Sequence, residues 1–192
     1  MPGRIAPQGN ESESIRLQLT VLRCQAGDEQ AFAELMASFE PRTLRYLRGM
    51  LGDDGDDVQQ EVWLSVYRNL QRLADPRAFK TWLFRTTRHK AIDFLRARRR
   101  ERAIVTEFDA RTETVAAGDP APDDTLPFDE ADLQRALGTL GPEHREVVLL
   151  RFKNDLSYGE IATLLGCSVG TVRSRLHYAK ERMHDFLTRG TP

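Results

Sequence analysis

Cysteine is scarce in this chain of 192 residues. Only Cys24 and Cys167 occur, far apart, in no CxxC pair and beside no histidine at metal-ligand spacing. That excludes a disulfide scaffold and leaves two reduced thiols as the natural reading. The four histidines are scattered. There is no phosphate-binding glycine loop, no HExxH, no GxSxG and no clustered nucleophile and base. The expectation is a protein that is not an enzyme, with no catalytic residue, metal, cofactor or small-molecule substrate. No apolar run approaches the roughly 18 residues of a membrane span. Met1 to Ser14 is polar and lacks the apolar segment of a signal peptide. A cytoplasmic protein without membrane insertion is expected.

Net charge is also lacking, at −1, but that average conceals two strong local fields. From Arg85 to Arg102 eight Arg or Lys stand against two acids, a net +6; from Asp119 to Asp132 six acids stand alone, a net −6. Hydrophobic residues at 40% and charged ones at 30% suit a helical protein with a modest core. No stretch alternates in the manner of a strand. The pattern predicts an all-α chain of two small helical domains joined by a flexible acidic linker. The parts are a disordered tail at 1–14, helices over 15–102, a linker at 103–129 containing GDPAPDDTLPFDE, and helices again over 130–189.

A helix is expected from about Asp57 to Leu73. Asp53, Asp54, Asp56 and Asp57 crowd its start, where acids suit the free N–H groups. Val58, Val62, Val66, Leu70 and Leu73 recur at helical spacing. The opposite stripe is Asp57, Gln60, Glu61 and Leu64. It reads either as a solvated face or, because Leu64 is apolar, as a docking surface. A second helix is expected from Phe79 to Arg102, with Arg85, Arg88, His89, Arg96 and Arg99 on one stripe. The preceding LADPRAFKTW is a proline loop followed by aromatics. Aromatics beside cations can stack exposed bases, although Phe79 and Trp82 also fit ordinary core packing.

The most specific segment is SYGEIATLLGCSVGTVRSRLHYAKERM, residues 157–183. Ser157 and Glu160 make a capping box, Gly166 permits a left-handed stop, and Ser168 can cap the next helix. Val172, Leu176, Ala179, Met183 and Phe186 then form an apolar seam at spacings of 4, 3, 4 and 3. Gly170, Ser174, His177 and Glu181 point away from it, flanked by Thr171, Arg173 and Tyr178. This is the pattern of a helix-turn-helix whose second helix fits the DNA major groove, with Arg173, Ser174 and His177 in reach of base edges or phosphates. A structural helical hairpin is the competing reading.

Taken together, DDVQQEVWLSVYRNL, FKTWLFRTTRHKAIDFLRARRR and LSYGEIATLLGCSVGTVRSRLHYAKERM resemble, in order, three blocks of the extracytoplasmic-function (ECF) sigma factors of bacterial RNA polymerase. The likeness covers roughly residues 20–186. It implies a polymerase subunit that directs the core enzyme to promoters and favours their opening. Asp57, Gln60, Glu61 and Leu64 would dock on core polymerase. Arg77 and Phe79, with the helix that follows, would hold a flipped base of the minus-10 element, and Arg85, Arg88, His89, Arg96 and Arg99 would accompany that strand. Arg151, Tyr158, Thr171, Arg173, Ser174, His177 and Tyr178 would face the minus-35 duplex. The resemblance also implies an anti-sigma factor as partner and a third sigma domain absent, and two small domains on a flexible linker predict a loose free protein. His89 departs from the asparagine common at that place in the family, which touches the minus-10 preference. The alternative is a conventional helix-turn-helix transcriptional regulator, which would leave the +6 helix and the acidic stripe without a purpose.

Overall fold

In the computed structural model, residues 8–106 and 130–189 are described. Side-chain detail extends over 12–101 and 132–188. Every described element is helical: α1 (Gln8–Gln25), α2 (Glu29–Leu51), α3 (Gly55–Asn69), α4 (Phe79–Thr106), α5 (Glu130–Gly138), α6 (Pro142–Val148), α7 (Tyr158–Leu165) and α8 (Val169–Arg189). The expected disordered tail at 1–14 is corrected at its end, because α1 already begins at Gln8. At the other boundary α4 runs on to Thr106, past the expected start of the linker at 103. Residues 107–129, the rest of the linker, lie outside the described residues.

The first unit is built on the α2–α3 pair. Asp28 caps α2 by accepting from the Ala31 N–H, and Arg23 holds the same carboxylate from α1. Those two donors keep the Asp28 carboxyl below its usual range, the Ala31 amide foremost. Val58, Val62 and Val66 of α3 and Leu35, Phe39 and Tyr46 of α2 are all buried, and the two helices pack together. The expected helix to Leu73 ends sooner. After Asn69 the chain tightens through Leu70–Arg72, and Leu73 turns extended. The Gln25 amide on α1 donates to the Leu70 and Leu73 carbonyls and fixes that exit. Asp75 then accepts from the Arg77 N–H, Pro76 opens a short turn, and α4 starts at Phe79.

Phe79 corrects an expectation. Its ring is fully buried, edge-on to Phe39 at 5.3 Å, and so belongs to the core rather than to a base pocket. The reason is local. The turn at Pro76–Ala78 points Arg77 outward, and the next residue but one must face the α2–α3 groove. Trp82 is partly buried beside it.

The second unit follows its sequence signals closely. The Ser157 hydroxyl accepts from Glu160 N–H while Glu160 reaches back to Ser157 N–H, closing the capping box. Gly166 stops α7 at φ 66°, where a side chain would be strained. Ser168 caps α8 through the Thr171 N–H. Val172, Leu176 and Ala179 bury the seam of α8 against α6 and α7. Before α7 the chain widens into a π turn at Leu149–Lys153.

The two units pack together, where a loose chain was expected. Val147, Val148, Leu149 and Leu150 are four consecutive apolar residues, and all are buried. A helical run that is apolar on every side needs neighbours on every side. One side is α8 and α7; another is α2 of the first unit.

Replacing Phe79 with Ala should cost about 3–5 kcal/mol of stability, the usual range for emptying an aromatic core site. Replacing the exposed Arg77 with Ala should cost about 0.5 kcal/mol or less. Urea unfolding of both variants checks this; equal and small losses would put Phe79 back on the surface.

Candidate nucleic-acid and polymerase interfaces

On α8 the residues off the apolar seam are in water. Arg173, Ser174, His177 and Tyr178 are exposed, and Thr171 is half-exposed at the capped start of the helix. Arg173 carries no hydrogen bond or ion pair among the described residues, so its guanidinium is free to meet a base edge or a phosphate. The Ser174 hydroxyl donates to the Thr171 carbonyl, which leaves its oxygen as an acceptor toward the outside. His177 Nε2 lies 3.4 Å from a Glu181 carboxylate oxygen one turn on. The Tyr178 ring rests on His144 of α6 at 4.5 Å between ring centres.

Two side chains brace this face rather than present themselves. Arg151 donates to the Leu156 carbonyl, and its guanidinium lies over the Tyr158 ring at 5.4 Å, so the pair stiffens the turn into α7. Arg175, which the sequence reading passed over, is ion-paired with Glu143 and ties the recognition helix to α6. No sequence signal marks that pair, because its partners are 32 residues apart.

Helix α4 presents its bases unevenly. Arg85, His89, Arg96 and Arg99 are exposed, and Arg85 and Arg99 have no ionic partner among the described residues. Arg96 has only Asp93, at 3.7 Å. Arg98 is turned the other way, paired with Asp54 of the first unit. Arg88 is half-buried, its Nε 2.7 Å from a carboxylate oxygen of Glu146 in the second unit. Of the five residues on the expected stripe, four therefore face water together and Arg88 is engaged elsewhere. Arg77 stands clear of the surface, its guanidinium held by Asp75 at 3.0 Å. That hydrogen bond, with the Arg77 amide, keeps the Asp75 carboxyl below its usual range.

On α3 the expected stripe is intact: Asp57, Gln60, Glu61 and Leu64 are all exposed, and Leu64 is 54% exposed. Glu61 is the one with an ionic partner, Lys90 of α4 at 3.0 Å. The stripe is wider than its sequence pattern indicated. Beside Leu64 a shallow apolar groove is lined by Phe32, Met36, Trp63 and Tyr67. Tyr67 is 65% exposed, more than Leu64 itself. Its helical position, three residues after Leu64, was the available signal. The Trp63 indole N–H and the Gln59 side-chain oxygen are buried there without a partner. Among the described residues no group of acids, histidines and cysteines could hold a metal ion, and no helix is long and apolar enough to cross a membrane.

Comparison with known proteins agrees with this arrangement, block by block. The model of Sigma-70 region 2 matches residues 35–101, and that of Sigma-70, region 4 matches residues 130–183. The ECF RNA polymerase sigma factor SigE of Mycolicibacterium smegmatis is 36% identical over 172 residues, 85% of this chain and 65% of the relative. The chain thus spans just under two thirds of that protein. The RNA polymerase sigma factor CarQ of Myxococcus xanthus is 34% identical over 86% of this chain and 94% of its own length. Among solved structures, CnrH in complex with the cytosolic domain of CnrY superposes with a TM-score of 0.66 at 25% identity, over 91% of this chain and 99% of that one. A region 2 unit with its α3 and α4 faces outward, a region 4 unit with a capped helix-turn-helix, and full-length likeness to CarQ lead to one assignment: the chain belongs to the sigma-70 family, in its ECF group.

Proposed function

We propose that the chain works as a non-catalytic polymerase subunit in the cytoplasm, with its three outward faces dividing the labour. The observation that carries this reading is that one chain exposes a recognition helix, a basic helix and an acidic-apolar stripe together. A conventional regulator needs only the first of these.

In this reading residues 15–102, extended back to Gln8, form the core-binding and minus-10 unit, and residues 130–189 form the minus-35 unit. Asp57, Gln60, Glu61 and Leu64 dock on core polymerase, with the Trp63–Tyr67 groove receiving an apolar side chain of the partner. Arg85, Arg96 and Arg99 follow the phosphate backbone, so their contribution falls as salt rises. Arg77 and His89 flank the unpaired minus-10 strand. Capturing an unstacked base offsets a few kcal/mol of unstacking, which is how a protein without an ATPase favours melting. Phe79 supports the Arg77 turn from beneath. Arg88 reaches DNA once it leaves Glu146. Thr171, Arg173, Ser174, His177 and Tyr178 meet the minus-35 duplex, and Arg151 and Tyr158 hold the turn that aims them. An anti-sigma factor is the expected inhibitor; CnrH, the related fold, was solved with the cytosolic domain of CnrY bound.

Tagged chain should capture core polymerase from purified subunits. The double substitution Glu61→Lys with Leu64→Asp should weaken that capture at least tenfold while leaving the helical signal intact. Capture unaffected by the pair would remove α3 as the docking face. No capture at all, with DNA binding retained, would favour the regulator. Replacing Arg173 with Ala should cost about 1–3 kcal/mol at one minus-35 position. A uniform loss across all sequences would mean that Arg173 holds a phosphate.

A further inference from the structure

Gln59 and Trp63 stand one turn apart on α3, so their side chains share a face. Each is only 5% exposed, and each brings a polar atom to the groove beside Leu64 and Tyr67. The orientation of the Gln59 amide is fixed. Its nitrogen donates to the Glu40 carbonyl at 3.1 Å and to the Thr43 hydroxyl oxygen at 2.9 Å. A flipped amide would set its oxygen against that carbonyl, which can only accept. The Thr43 hydroxyl cannot rescue the flip, because its one hydrogen already goes to the Phe39 and Glu40 carbonyls. The Gln59 oxygen is therefore left facing away from α2, with no donor among the described residues. Trp63 is held as firmly. Phe32 meets its ring edge-on, at 6.1 Å between centres and 87° between planes. The indole N–H has no acceptor among the described residues. A donor and an acceptor, both withdrawn from water, thus stand unmet in an otherwise apolar groove.

Buried polar atoms without partners oppose folding, so a native chain that keeps two together keeps them for a reason. Chemistry narrows what can meet them. The indole N–H needs an acceptor and the Gln59 oxygen needs a donor. Lys and Arg offer no acceptor, and an ionised Asp or Glu offers no donor. The main-chain groups of a folded partner are almost all paired already. What remains is a neutral side chain that donates and accepts at once: the amide of Asn or Gln, or a hydroxyl. The location names the partner. Gln60 and Leu64 of the α3 stripe line the same groove, so whatever docks on the stripe covers the groove as well.

We propose that Gln59 and Trp63 form a polar selectivity subsite within the docking face: a neutral amide or hydroxyl side chain of core polymerase seats on both, beside the apolar side chain that the groove receives. The subsite rests on the docking reading above, and it adds a rule of selection that the charged stripe does not supply. Exposed charges steer a partner in and are screened by salt. A buried donor and acceptor discriminate instead. A partner that brings an apolar or charged residue to this point leaves both atoms buried and unpaired, and is rejected for it.

Two changes at one position test this in the full chain. Trp63→Phe removes the donor and keeps an aromatic ring. A second chain carries benzothienylalanine in place of Trp63, where sulfur replaces the N–H in a ring of nearly the same shape. The affinity of each for purified core polymerase is measured at low and at high salt. Both should bind at least about fivefold more weakly than the parent chain, the scale of one lost neutral hydrogen bond. The ratio to the parent should be the same at both salt concentrations, because no charge is removed. The urea midpoint of the sulfur-bearing chain should match that of the parent, since the N–H has no bond to lose in the free chain. A sulfur-bearing chain that binds core polymerase as tightly as the parent would overturn the subsite. So would a weakened affinity that comes with an equally weakened fold. Should Trp63→Phe fail to fold, the sulfur-bearing chain decides alone. The parent chain separates the two failures. If it captures core polymerase and the sulfur-bearing chain does so equally well, only the subsite is lost. If it never captures core polymerase, the docking reading is lost and the subsite with it.

Discussion

A carboxylate withdrawn from water must be met by donors that stay in place. Glu146 is that carboxylate, and the seating of α6 against the first unit depends on how it is met. Tyr46 comes to it from α2 and Arg88 from α4, two helices that pack on each other within the first unit. The charged hydrogen bonds give direction, and Leu149 over Gly49 gives closeness. Removing either donor would leave a buried charge underserved, which is why such groups act as registers more than as sources of net stability.

Each helix of the first unit works on two sides. The inner side of α3 is the valine ridge in the core, and its outer side carries Leu64 and the acids. The inner side of α4 carries Phe79, Leu83, Phe84 and Ala91, and its outer side carries the arginines. A helix that buries one stripe in the core of a small domain leaves the opposite stripe in water, so the binding faces are the backs of core helices. The same holds for α8, where Val172, Leu176 and Ala179 anchor the helix and the intervening residues face out. Packing thus aims the functional groups, and Arg175 with Glu143 and Arg151 with Tyr158 refine the aim.

Most of this was legible in the sequence because it depends on local period and local caps. The capping box, the left-handed glycine and the first part of the α8 seam, Val172 to Ala179, are each written within a few residues and found where the pattern puts them; the expected seam fails at its end, where Met183 is only partly buried and Phe186 is exposed. The α3 and α4 stripes follow from 3.6-residue periodicity alone. Phe79 was misplaced because a residue just after a turn can face either way, and only the packed α2–α3 groove decides which. The tail boundary was misplaced because polar residues at a helix start carry little apolar signal, so α1 reads as loop until Ile15. The closure of the two units was not legible: its partners are 58 to 108 residues apart in the chain. The apolar run Val147–Leu150 was the one available hint.

Run-off transcription from fragmented genomic DNA, with purified core polymerase in the presence and absence of this chain, tests the account most directly. The account predicts new start sites that appear only with the chain and share two boxes at a fixed spacing. Absence of new starts, from a chain that still binds DNA by itself, would contradict it and leave a conventional helix-turn-helix regulator as the better description.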